Sequence, residues 1–84
     1  MKTIDRIQTG VRMEKRLVKV LKGTAEHLDM SFGDLLECIC LHGIEGKAPF
    51  SEDTLGRIRK LRDVYDLDLT AADCHHLIDR ETGS

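Results

Sequence analysis

Three cysteines and four histidines are the side chains of this 84-residue chain best suited to hold a metal ion. Cys38, Cys40 and His42 stand two residues apart, and Cys74, His75 and His76 are adjacent. On a helix, Cys38 and His42 share a face at i, i+4, which turns Cys40 away from them. No Cys-x-x-Cys pair occurs, so the spacing argues against a zinc site. The thiols read as small buried or boundary side chains. His75 and His76 read as surface groups. For catalysis the chain offers no nucleophile elbow, no phosphate-binding glycine loop and no catalytic metal motif. Asp66 and Asp68 read as solvated connector residues. The expectation is therefore no enzyme, no cofactor and no metal. One stretch suits a different chemistry. Ser31, Phe32 and Gly33 open a helix whose first N–H groups and dipole can receive a phosphate. Gly33 would let a backbone come close, whereas the Asp34 carboxylate would repel an anion. Plain capping is the other reading of the same residues.

The elements that position these residues follow from periodicity. From Arg6 to Met13 the chain alternates, with Ile7, Thr9, Val11 and Met13 on one side and Gln8, Gly10 and Arg12 on the other. A period of two predicts a half-buried strand. A helix is predicted from Glu14 to Leu28, with an apolar stripe of Leu17, Val18, Val20, Leu21, Ala25 and Leu28. Lys15, Arg16, Lys19 and Lys22 fall on its opposite face. Gly23 also points outward, at a cost of about 1 kcal/mol relative to alanine. Ser31 then caps a second helix to about Ile44, with Asp34 in the capping-box position and Met30 and Leu35 as a staple. Its buried stripe is Leu35, Leu36, Ile39, Cys40 and Ile44, and Gly43 or Gly46 ends it. A lone strand has unpaired N–H and C=O groups, which a twofold dimer would satisfy.

An alternating strand, an immediate helix and a Leu28-Asp29-Met30-Ser31 turn into a second helix resemble the ribbon-helix-helix superfamily of bacterial and phage repressors. The resemblance covers about half the chain, from Arg6 to Ile44. It implies a homodimer whose paired strands lie in the DNA major groove, with outward strand side chains on base edges. By position these are Gln8 and Arg12, whose chemistry suits adenine and guanine respectively. Gly10 departs from the pattern by offering no side chain. The resemblance also implies that the turn at Ser31, Phe32 and Gly33 clamps the DNA backbone, and Lys2 and Arg6, as basic side chains near the groove edge, are expected to contact phosphate only. Gln8 and Arg12 as the ordinary solvated face of a strand remain the alternative.

Charge placement agrees with a polyanion-facing front. Up to His27, Lys2, Arg6, Arg12, Lys15, Arg16, Lys19 and Lys22 are opposed only by Asp5, Glu14 and Glu26. Acids dominate the remainder, and the net charge is −2. Ordinary surface charge would look similar. An odd number of cysteines and no apolar leader predict reduced thiols in a cytoplasm. The longest apolar run, Cys38 to Leu41, is far too short to span a bilayer.

The cap-and-staple grammar recurs at Phe50-Ser51 with Leu55, predicting a third helix to about Tyr65. It recurs again at Leu69-Thr70 with Asp73 and Cys74, predicting a short fourth helix to about Arg80. Glu81 to Ser84 should fray. The expected fold is thus mostly α: a ribbon-helix-helix dimer with a C-terminal two-helix extension. Residues 1–46 form the dimerisation and DNA-binding module and residues 47–84 the helical extension. The expected function is transcriptional repression by a homodimer on double-stranded DNA. The alternative is a protein-interaction or antitoxin-like module whose C-terminal helices bind a protein partner. A monomeric four-helix structure with Arg6–Met13 as an unpaired arm is the third possibility. No role follows for Arg57, Arg59, Lys60 and Arg62.

Overall fold

In a computed structural model, residues 1–80 are described, and they hold three α-helices and one 3-10 turn. Helix α1 spans Lys15–His27, α2 Phe32–Glu45 and α3 Glu52–Val64, and the 3-10 turn is Ala71–Asp73. Both α2 and α3 pack on α1 and not on each other, so α1 is the centre of the fold.

The start of α1 is built by Glu14, whose carboxylate accepts the Arg16 N–H at 2.9 Å and the Arg16 Nε–H at 2.6 Å. The predicted stripe faces inward, with Val20 and Ala25 buried and Leu17, Val18, Leu21 and Leu28 half-buried. Thr24 is fully buried beside them because its hydroxyl donates to the Val20 carbonyl at 2.8 Å, which leaves no polar group orphaned. Helices α1 and α3 end alike. Asp29 and Asp66 adopt positive φ (55° and 54°), a conformation that aspartate tolerates better than most side chains. The next residue then folds back, Met30 N–H onto the Ala25 carbonyl and Leu67 N–H onto the Arg62 carbonyl. Leu67 is buried by that return. Helix α2 ends at Gly46, whose φ of 73° favours glycine.

Gly23 does not point outward as predicted. It faces α3, where a Cβ would lie 2.9 Å from Leu61 Cδ2. The absent side chain lets the two helices approach.

Two further expectations are corrected. The ribbon-helix-helix fold is not present: among the described residues there is no strand, and residues 1–14 have no regular secondary structure, with residues 1–13 exposed. Ile7 and Val11 are 86% and 73% exposed, so the alternation does not mark a half-buried face. The physical reason is that a strand exists only through a ladder partner, and the described residues offer none to Arg6–Met13. The predicted fourth helix is likewise a single 3-10 turn, so the C-terminal extension is one helix and an irregular segment. The Thr70 N–H does donate to Asp73 at 2.8 Å. But His75 turns to φ 69°, and adjacent Leu77 and Ile78 give no helical stripe to bury. The predicted fraying of 81–84 lies outside the described residues.

The buried core is small. Val20, Ala25, Leu35 and Leu67 are the apolar side chains fully inside, while Cys40, Leu41 and Ile44 on α2 are exposed. Accessible surface is 7483 Å². A compact monomer of this mass would expose about 5000 Å². The exposed residues 1–13 account for part of the excess.

Candidate nucleic-acid interface

The N-terminal segment, residues 1–14, is tied to α2 by Arg6. Its Nε and Nη2 donate to the two Glu37 carboxylate oxygens at 3.0 and 2.9 Å, and Asp34 lies 4.0 Å away. The pairing raises the Arg6 pKa and lowers that of Glu37, in both cases chiefly through the hydrogen bonds between them. Both side chains remain well exposed, so the tie is a light one.

Ser31 caps α2 as predicted, its Oγ accepting the Asp34 N–H at 3.1 Å. The N–H groups of Phe32 and Gly33 have no intrahelical acceptor, as first-turn donors never do. Gly33 is exposed with open space where a Cβ would be. Lys22 of α1 sits over the Phe32 ring, its Nζ 5.6 Å from the centroid. The N-terminal end of α2 therefore gathers two cations, Arg6 and Lys22, and two acids, Asp34 and Glu37. Of the residues assigned to backbone contact, Arg6, Ser31, Phe32 and Gly33 come together here. Lys2 is exposed and has no ion pair among the described residues.

The residues assigned to base contact lie elsewhere on the same segment. Gln8 is exposed and has no hydrogen bond among the described residues. Arg12 Nη2 is 2.9 Å from Asp79 Oδ2, with both side chains more than four-fifths exposed. Behind this pair is an open cleft between the start of α1 and the C-terminal segment, lined by Met13, Leu69, Leu77 and Ile78.

Compared with known proteins, the chain matches no family model, no curated protein and no solved structure.

Sequence reasoning placed Arg16 on the outward face of α1, where the structure gives it a positioning task. Its Nη1 donates to the Asp66 carbonyl at 2.8 Å and lies 3.2 Å from Asp68 Oδ1. Lys19 lies over the Tyr65 ring at 5.6 Å. Both contacts hold the end of α3 against α1. The acidic residue just before α1 was the available signal, since Glu14 orients Arg16 from its other side. The Glu14 carboxyl pKa is lowered, first of all by its hydrogen bond from Arg16.

Among the described residues no group of three or more His, Cys, Asp or Glu is placed to hold a metal. His42 Nδ1 donates to the Cys38 carbonyl at 2.7 Å, with the Cys38 thiol 3.6 Å away. Nor is any described helix long and apolar enough to cross a membrane.

Proposed function

We propose that this chain is a DNA-binding regulator that acts as a homodimer, with residues 1–14 and the N-terminal end of α2 facing the duplex. The observation that carries this reading is the gathering of Arg6 and Lys22 beside the free N–H groups of Phe32 and Gly33. Two cations and two backbone donors suit a backbone phosphate, which would exchange with Glu37 for Arg6. Gln8 and Arg12, on the same exposed segment, supply the groups for base edges.

Exposed Ile7, Val11, Leu41 and Ile44 support the dimer, as apolar side chains that a second copy would cover.

A protein-interaction module is the second reading. The pairing of Arg6 and Arg12 with acids of their own chain favours it.

Duplex binding at several salt concentrations tests the proposal. Arg6→Ala should weaken binding to all sequences about equally and lower the salt slope by about 1. Arg12→Ala should cost about 1–3 kcal/mol on a preferred sequence and little on random duplex. Absence of binding to any duplex at low salt would transfer support to the interaction module.

A further inference from the structure

From the pairing of Arg12 with Asp79, 67 residues away in sequence, we infer that the C-terminal segment competes with DNA for the base-reading arginine. The inference rests on the DNA-binding reading above. Residues 67–80 return along the start of α1. Leu67 anchors them in the core, and Arg16 holds Asp66 and Asp68 beside α1. Past the 3-10 turn the described segment is irregular and exposed, and Asp79 lies on the Arg12 guanidinium. Leu77 and Ile78 face the cleft shared with Met13 and Arg12, yet they stay 52% and 96% exposed. A firmly packed tail would bury them. The segment is therefore anchored at one end and lightly held at the other, which is what a displaceable cover requires.

The competition is electrostatic. Arg12 cannot give its guanidinium to Asp79 and a guanine edge at once, and an acidic side chain beside the groove also repels phosphate. An exposed pair of this kind shifts an equilibrium only modestly, so the cover tunes affinity without blocking it.

The test uses the full chain and a DNA duplex at fixed salt. Asp79→Asn keeps the shape and removes the charge, and it should tighten binding about two- to fivefold. Asp63→Asn, which removes one charge from the exposed face of α3, controls for net charge and should have a smaller effect. In an Arg12→Ala background the gain from Asp79→Asn should vanish. In the absence of DNA, the Arg12 Nε–H resonance should move on Asp79→Asn. If the wild type binds DNA and Asp79→Asn binds no tighter than Asp63→Asn, the cover is refuted and the DNA reading stands. If neither wild type nor variants bind at low salt, both are refuted, whatever the resonance does.

Discussion

Gly23 on α1 faces Leu61 on α3 so closely that a Cβ at position 23 would lie 2.9 Å from Leu61 Cδ2 and 3.1 Å from Cδ1. This close packing is made at a residue whose helix propensity is poor.

Substitution at Gly23 should separate these effects. Alanine gains about 1 kcal/mol of helix propensity but pushes on the flexible end of Leu61, so Gly23→Ala should change stability by less than about 1 kcal/mol. Gly23→Ile adds bulk that a rotamer change at Leu61 cannot absorb, and should destabilise by about 1–3 kcal/mol. Urea denaturation of the two variants checks the difference.

Acid should loosen the N-terminal ties. Glu14 and Glu37 have carboxyl pKa values lowered in the folded chain by Arg16 and Arg6. Groups with depressed folded pKa stabilise the fold above their unfolded value and lose that contribution as pH falls through the folded one. Stability should therefore be level above about pH 5 and fall below about pH 4. In Glu37→Gln the acid-side fall should be shallower, as followed by thermal melting across pH.

Chelator should leave the melting temperature unchanged. The closest pair of candidate ligands, Cys38 and His42, has its imidazole Nδ1 committed to the Cys38 carbonyl. A fall in melting temperature reversed by zinc would contradict this.

Melting should depend on protein concentration. Exposed Ile7, Val11, Leu41 and Ile44 and a core of few buried side chains predict a fold completed by a second copy. A midpoint that stays constant over a hundredfold range of concentration, with monomeric mass in sedimentation, would contradict the dimer.

The features readable in the sequence are local ones. The α1 stripe of Val20 and Ala25, and the serine caps at Ser31 and Ser51, depend on neighbours within one or two turns, and the structure has them as expected. What escaped depends on tertiary placement. Gly23 looked like a weak outward position because its meaning lies in Leu61. Asp29 and Asp66 looked like polar turn residues, with nothing to mark the positive φ that returns Met30 and Leu67 to the core. The alternation at Ile7 to Met13 suits a strand, but pairing requires a partner that the described residues do not supply. At the candidate interface, the grouping of Ser31, Phe32 and Gly33 was legible from the cap. The pairing of Arg6 with Glu37 and of Arg12 with Asp79 was not, because no local rule links residues so far apart.

Selection of duplexes from a random DNA pool by the full chain at low salt is the most direct measurement of the central claim. The account predicts enrichment of an inverted repeat, since a twofold dimer presents Gln8 and Arg12 twice, and predicts that Arg12→Ala broadens the enriched set. A pool that stays random after repeated rounds, with no duplex retained by the wild-type chain, would contradict it.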